Sequence, residues 1–546
     1  MASSLLGLDI GGSGAKAGLY AAGSGELLGS GYVEYRMTSA VPGHAEHDAD
    51  TWWQAAILAI RQASNGSDPS TIRGLGVSCT NGLVAVDAKG RPLRSAIMLW
   101  DQRAVPEVEH IGRVLDPGRL FEITGNPLAP GAYSLPTILW LKHHEPETFD
   151  SAYKLLVPGG YLVARLTGAF TIDHSRACTT LLFDIRGLDW HRPFLDALQI
   201  PVEKLPRPLP GLAPAGSVTA EAAELTGLRP GTPVVAGCMD TVAASIGCGV
   251  MEPGECFVIM GTAARVCTAL LEPRFDPRFM NCSHTAPGRW LAIGALNGIG
   301  SSWRWMRDTF GQLEQSVAAL SGQDAYDLLT AEAANAPPGS KGLIFLPYIS
   351  GERTPVWNPK ARSVFLGITL GHERCDVLRS VLEGAAFAIR QVVEILETDQ
   401  GLAIPELRIG GTAARSAVWN QIIADVLGKP VVSMVETQTE VLGAALLAGV
   451  GLGVYADFDE AVAAHVRPAR TFKPDDRAHA AYDQLFPVYR DLYEDIEPYF
   501  TRLAGIDLPR AWVSRGEWDD GGRDQARAGQ VRPARVQPAP GEGIGR

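Results

Sequence analysis

The fold can be read outward from Leu5-Leu6-Gly7-Leu8-Asp9-Ile10-Gly11-Gly12-Ser13-Gly14-Ala15-Lys16-Ala17-Gly18-Leu19-Tyr20. The apolar run over residues 5–10 carries one aspartate near its end, Asp9. Gly11, Gly12, Ser13 and Gly14 follow, and after Lys16 a second apolar run fills residues 17–20. The pattern predicts strand, tight turn, strand. Glycine lets the backbone take positive φ and bring its N–H groups close to an anion. Lys16 adds positive charge. Asp9 offers the oxygen ligand that a hard cation such as magnesium prefers, directly or through water. The competing reading of this stretch alone is a Gly-rich hairpin with one solvated aspartate, because such turns are common punctuation.

Length and composition narrow the class. A chain of 546 residues is too long for one ordinary core and predicts two large domains. Hydrophobic residues at 46% and charged residues at 20% mark a globular chain. A net charge of -12 argues against a general nucleic-acid binder, which needs cations for phosphate. No apolar run reaches the roughly 18 residues of a membrane span. No basic flank precedes Leu5, and the run after it is too short for a signal sequence. The eight cysteines contain no CxxC pair, which points to reduced, buried thiols in a cytoplasmic protein. His44, His47 and His284 show no metal spacing and read as solvated or core residues.

Along the chain, Glu46-His47-Asp48-Ala49-Asp50 leads into a helix over 52–62 with acidic residues in its first turn. Strands are expected at 72–78, 83–86 and 96–100, with Cys79-Thr80-Asn81-Gly82 and Asp101-Gln102-Arg103 at their ends, where α/β folds bind ligands. Residues 205–214 read as a proline-rich connector. A single strand over 232–239 ends on Asp240, and a helix begins by 243–246. Residues 256–260, the small-residue turn Gly261-Thr262-Ala263-Ala264 and residues 265–270 repeat the strand–turn–strand form of the N-terminus. Two domains of like fold, 1–250 and 251–495, are therefore expected to share a cleft. Residues 376–396 have helical apolar spacing. Gly410 and Gly411 stand between a strand at 407–409 and a helix at 416–427, a setting suited to close approach of a nucleotide. Residues 441–450 are rich in small side chains, as in a tightly packed helix. From 503 to 546 the composition predicts disorder.

Several motifs in order carry a family likeness over residues 5–495. Asp9 to Lys16 resembles the first phosphate motif of the FGGY carbohydrate kinases. Val235-Ala236-Gly237-Cys238-Met239-Asp240 resembles their catalytic-aspartate motif, and Gly261-Thr262 their second phosphate motif. Gly342-Leu343-Ile344-Phe345-Leu346-Pro347-Tyr348-Ile349-Ser350-Gly351-Glu352-Arg353-Thr354-Pro355, with Leu382-Glu383-Gly384-Ala385, resembles the long family signature. Ile409-Gly410-Gly411-Thr412-Ala413-Ala414-Arg415-Ser416 resembles the adenosine motif. The resemblance implies two ribonuclease-H-like (actin/hexokinase-type) α/β domains flanking a cleft, and ATP-dependent phosphorylation of a sugar or polyol hydroxyl. It implies Asp240 as general base and Asp9 as the site of Mg²⁺. Gly11, Gly12, Ser13, Gly14, Lys16, Gly261, Thr262, Gly300, Gly410 and Gly411 would hold ATP. Phosphoryl transfer needs positioning and charge stabilisation more than covalent help, which suits such residues. From residues alone, Asp240 is equally a helix N-cap, and Glu352–Arg353 reads as a structural ion pair.

Thr80, Asn81, Asp101, Arg103 and Asp240 are the implied acceptor contacts. Thr80 and Asn81 stand where glycerol kinases have Arg-Glu and D-xylulose kinases Met-His. The missing Arg-Glu clamp argues against glycerol, and the missing Met-His weakens D-xylulose without excluding it. Asp101 and Arg103 match the family's Trp-x-Asp-x-Arg segment, with Trp100 one position late; a surface ion pair is the equal alternative. Gly12 replaces a common threonine, as in L-xylulose-kinase-like members, whereas the second-half signature resembles D-xylulose and gluconate kinases. A ketopentose ranks first, ahead of gluconate, erythritol or glycerol. A non-catalytic nucleotide-binding regulator and a chaperone- or filament-type ATPase are the other classes. The expected partner is a small sugar, with no nucleic acid or membrane; a homodimer is compatible with the sequence and not required by it.

Overall fold

The computed structural model describes residues 3–35, 43–129 and 132–506. The tail expected to be disordered lies outside the described residues, except for 503–506. Of those, Leu503 and Ala504 end the last helix, Asp476–Ala504, so order extends slightly further than the composition suggested.

Two seven-stranded sheets organise the chain. The first contains β1 (Ser4–Ile10), β2 (Gly14–Ala21), β3 (Leu27–Glu34), β4 (Ile72–Cys79), β5 (Pro214–Ser217), β6 (Pro233–Val235) and β7 (Cys238–Met239). Its order is β5-β6-β4-β1-β2-β3, with β7 also on β4. The second contains β8 (Cys256–Met260), β9 (Ala264–Leu270), β10 (Met280–Ser283), β11 (Trp290–Leu296), β12 (Leu407–Gly410), β13 (Val431–Met434) and β14 (Pro468–Phe472), in the order β10-β11-β9-β8-β12-β13-β14. Each sheet is built around one strand, β1 or β8, with an antiparallel hairpin partner on one side and a parallel partner on the other. The repeat in the sequence is thus a repeat in topology. One expectation needs correction: 232–239 is not a continuous strand. Gly237, at φ +92°, breaks it, and the position must be glycine because a Cβ there would lie 2.3 Å from the Val77 carbonyl. The break turns the chain so that β7 ends directly on α2 (Asp240–Cys248), whose helix starts at Asp240 rather than at 243.

Packing follows from residue size. Helix α1 (Ala49–Ala63) precedes α2 and is capped by the Asp48 carboxylate, which accepts from Asp50 N–H. It buries Trp52, Trp53, Ala56, Ala59, Ile60 and Ala63 against the first sheet. At the centre, α2 crosses α3 (Thr439–Gly451). A Cβ on Gly443 would lie 1.8 Å from the Ala243 carbonyl, and one on Gly247 2.0 Å from that of Thr439. Helix α3 also lies on the first sheet, where a Cβ on Gly7 or Gly76 would fall 2.0 or 1.9 Å from the carbonyls of Val441 and Ala444. The largest apolar cluster accordingly joins residues from both halves, such as Leu5, Val242 and Leu446. The cysteines among the described residues are free thiols, and Cys375 alone of them is not fully buried. No helix among the described residues is long and apolar enough to cross a membrane.

The crossing gives a stability test. Gly443→Ala should cost about 2–3 kcal/mol, because neither backbone can yield without shifting a helix. Gly23→Ala, which meets nothing within 4 Å, should stay within about 0.5 kcal/mol. Urea unfolding of both variants checks this; equal midpoints would show that the helices separate at little cost.

Candidate active site

The C-terminal ends of β1, β4 and β7 lie side by side, because Asp9 pairs with Ser78, Cys238 with Ser78 and Met239 with Cys79. Asp9 and Asp240 therefore emerge at the same end of one sheet. Asp9 is 3% exposed and accepts a 2.7 Å hydrogen bond from Ser78 Oγ. Burial pushes its pKa up to about 7; Lys16, its cross-strand partner, opposes the rise, and Glu440 and Asp240 add to it. Glu440 comes from the first turn of α3, so the helix crossing brings it here. Gly11 to Gly14 form a tight turn closed by Gly11 N–H on the Gly14 carbonyl at 3.0 Å, and Tyr35 Oη donates to the Gly11 carbonyl at 2.6 Å.

Asp240 is buried and is the first residue of α2; the N-cap position belongs to Met239. The carboxylate accepts from Thr241 N–H at 2.8 Å and meets two guanidinium groups. Arg265 Nη2 lies 3.1 Å from Oδ2, and Arg176 Nη2 lies 3.4 Å from Oδ1. Burial alone would raise its pKa; Arg265, then Arg176 and the Thr241 bonds, outweigh that and hold it below the usual carboxylate range. Arg176 sits on the short helix His174–Cys178, capped by Asp173, and also donates to the Cys79 carbonyl. Ser175 Oγ of the same helix accepts from Met239 N–H at 2.9 Å, fixing the backbone just before Asp240. Neither arginine was among the residues expected from the sequence. A signal for Arg265 existed: it follows the second turn as Lys16 follows the first.

Thr80 and Asn81 are buried at the end of β4; Thr80 N–H donates to the Ile10 carbonyl at 2.8 Å. Asn81 Oδ1 accepts from Gly82 N–H at 3.0 Å. Asp101 and Arg103 form an ion pair, but a buried one rather than a surface one. Arg103 is bidentate on Asp101 at 2.8 and 2.9 Å and reaches Glu46 at 2.6 Å, with its guanidinium 4.9 Å from the Trp140 ring centroid. Asp101 also accepts from Ala45 N–H at 2.5 Å, so the pair joins two loops. Glu352 and Arg353 do not form the expected ion pair. Glu352 accepts backbone N–H bonds from Asn297 at 2.7 Å and Arg353 at 2.9 Å, while Arg353 Nε donates to Asn297 Oδ1 at 2.8 Å. Burial raises the Glu352 carboxyl to about 8.

Around the second turn, Gly261 N–H closes on the Ala263 carbonyl at 3.0 Å. Gly300, Gly410 and Gly411 pack against this region. A Cβ on Gly300 would lie 1.9 Å from the Gly261 carbonyl, one on Gly410 2.8 Å from Ile259 Cδ1, and one on Gly411 2.5 Å from the Met260 carbonyl. Arg304 donates to Thr262 Oγ1 at 2.9 Å. Among the described residues no three His, Cys, Asp or Glu side chains gather as a metal cage. Magnesium needs no such cage: it keeps several waters and takes one or two carboxylates plus substrate phosphates. Asp9, buried beside other acids, fits that role.

Two expectations follow. A raised carboxyl pKa in the folded state means that the folded protein binds the extra proton, so stability is lost as pH rises from 3.8 toward about 7. Asp9→Asn should remove that loss and raise the Tm at pH 8; a lower Tm would place Asp9 in a paired setting. The two departures from the family pattern also touch each other. A Cβ on Gly12 would lie 3.2 Å from Trp100 Cη2, so Gly12→Thr should lower the Tm, and Trp100→Ala should relieve most of that loss. Additive effects in this double-mutant cycle would show that the contact is not felt.

Both halves of the chain match known proteins. Residues 4–247 match the N-terminal domain, and residues 255–452 the C-terminal domain, of the FGGY family of carbohydrate kinases. The chain is 29% identical to the gluconokinase of Bacillus subtilis (strain 168), over 92% of this chain and 98% of that protein. It is 31% identical to the xylulose kinase of Lactococcus lactis subsp. lactis (strain IL1403), again over 92% and 98%. The crystal structure of xylulose kinase from Rhodospirillum rubrum superposes with a TM-score of 0.81 at 29% identity, covering 91% of this chain and all of that one. With two actin/hexokinase-like α/β domains and both family domains in order, the chain belongs to the FGGY family of carbohydrate kinases and is a sugar kinase.

Proposed function

We propose that the protein transfers the γ-phosphoryl group of ATP to a hydroxyl of a small sugar, a ketopentose such as xylulose, in the cleft between its two sheets. The observation that carries this reading is Asp240: a buried carboxylate held ionised at the start of α2, beside Asp9 and joined to the hairpin of the second turn through Arg265. The first domain, 1–250, would hold the sugar and the second, 251–495, the nucleotide. Asp240 would orient the acceptor hydroxyl and take its proton as the oxygen attacks phosphorus. Its low pKa keeps it unprotonated, and so competent, at neutral pH. N–H groups at Gly12, Ser13, Gly14 and Thr262, with Lys16, would grip the phosphates, and the bare Gly300, Gly410 and Gly411 would let the nucleotide approach backbone. Bound magnesium, at Asp9, would supply neutralising charge on the β- and γ-phosphates. Asp101 and Arg103, locked to Glu46 and Ala45, would act as scaffold for the loop that carries Trp100.

For the acceptor, Thr80 and Asn81 place neutral polar groups at the strand end, which suits an uncharged polyol chain. The xylulose kinase relatives support the same choice. Gluconate is the competing acceptor. The gluconokinase relative and the cations Arg265 and Arg353 near Asp240 favour it.

ADP release with Mg-ATP across D-xylulose, L-xylulose, D-ribulose, L-ribulose, gluconate, erythritol and glycerol tests the reading. One ketopentose should dominate, and Asp240→Asn should lower kcat by at least about a hundredfold. That variant should keep its circular dichroism but lose some Tm, because Arg176 is left buried without its carboxylate. Dominance of gluconate would overturn the ketopentose choice, and near-wild-type turnover of Asp240→Asn would remove it from the base role.

A further inference from the structure

Asp240 is held by two arginines of unlike character. Arg176 is almost wholly enclosed, its side chain 4% exposed, and it is tied to the Cys79 carbonyl as well. Arg265 is 29% exposed and comes from the other half of the molecule, on β9 directly after the second turn. Its place in that hairpin is not arbitrary. Lys16 stands opposite Asp9, the penultimate residue of β1, and Arg265 stands opposite Ile259, the penultimate residue of β8. Each phosphate-type turn is thus followed by a cation at the corresponding cross-strand site. In the first hairpin that cation faces an acid of its own hairpin. In the second the opposing residue is apolar, and the cation reaches across the cleft to Asp240.

We propose that Arg265 is a catalytic cation that changes partner during transfer, holding Asp240 as a carboxylate beforehand and turning to the transferring phosphoryl group as Asp240 takes the acceptor proton. This rests on Asp240 being the base. The step balances. The acceptor O–H bond breaks, its proton passes to Asp240 Oδ2, and its electron pair forms the new O–P bond. The bond from phosphorus to the ADP oxygen breaks, and that electron pair stays on ADP. Asp240 becomes neutral and releases its hold on the guanidinium at the moment the phosphoryl oxygens need positive charge. Arg176, enclosed and doubly bonded, stays in place and keeps Asp240 aimed. A planar guanidinium suits this exchange, because it binds carboxylate and phosphate in the same forked geometry.

The charged groups around Asp240 are Arg265 on β9, Arg176 on its short helix, Asp9 on β1 and Arg353 on the loop beyond. The nearby thiols of Cys79, Cys238, Cys267 and Cys282 are pushed up by burial and stay neutral. Asp9 also titrates in the acidic range, at about 7, but burial, Lys16, Glu440, Ser78 and Asp240 set its shift, whereas Arg265 is the largest charge acting on Asp240; a shift in the acidic limb of the kcat profile on changing Arg265 therefore reports on Asp240.

The experiment uses the full chain with Mg-ATP and its best sugar acceptor. Arg265→Met should lower kcat by at least about a hundredfold and change the sugar KM by less than about threefold, the mark of an interaction made in the transition state. The acidic limb should move to higher pH, since Asp240 loses its nearer cation. Added guanidinium should restore part of the turnover of Arg265→Ala. A kcat within about threefold of wild type, or a raised sugar KM with kcat kept, overturns the proposal. So does a lost kcat with neither a moved limb nor guanidinium rescue. Failure of the underlying reading looks different: Asp240→Asn would keep its turnover while Arg265→Met lost it, leaving Arg265 as a phosphate-binding cation with no exchange of partners.

Discussion

Everything at the cleft depends on two helices that touch backbone to backbone. Asp240–Cys248 and Thr439–Gly451 cross where Gly247 and Gly443 have no side chains, and the second helix presses on β1 and β4 through Gly7 and Gly76. A methyl group at any of these four positions would meet a carbonyl oxygen at about 2 Å. Such contacts admit one register. That register sets the start of the first helix, hence Asp240, beside the end of β1, hence Asp9, and brings Glu440 into the same field. The site inherits its geometry from the absence of atoms elsewhere.

The two aspartates then diverge in chemistry through their surroundings. Both are buried, so both carry a penalty on charge. Asp240 receives two guanidinium groups and a helix N–H, and stays ionised. Asp9 has Lys16 and one hydroxyl, set against Glu440 and Asp240, and its carboxyl rises. Paired acids pushed apart in pKa commonly divide roles between them. A carboxylate that lacks charge compensation is suited to receive a cation, and one that is fully compensated is suited to face a neutral hydroxyl.

Much of the fold was legible because it rests on local pattern. The strand–turn–strand signal at residues 5–20, its echo at residues 256–270 and the helical spacing of residues 376–396 all correspond to elements of the structure. The departures arise where a distant carbonyl or a burial pattern decides. Gly237 breaks a strand because the Val77 carbonyl lies against it. Glu352 and Arg353, neighbours in sequence, meet only through the Arg353 backbone N–H, while the Arg353 guanidinium turns to Asn297. Asp101 and Arg103 do pair, yet in the interior, because Glu46 and Ala45 close over them.

Runs of adjacent residues carry the family, the α/β class, the two glycine-containing strand–turn–strand hairpins and the acidic residues at the strand ends, since each of these is a local pattern. Long-range packing sets which cations meet Asp240, that Trp100 lies against Gly12, and that one aspartate is stabilised as an ion while the other is not. Those outcomes depend on groups tens to hundreds of residues apart, held at ångström distances by packing, and on the loss of water around them. Neither quantity is encoded in local spacing, so no reading of the motifs alone reaches them.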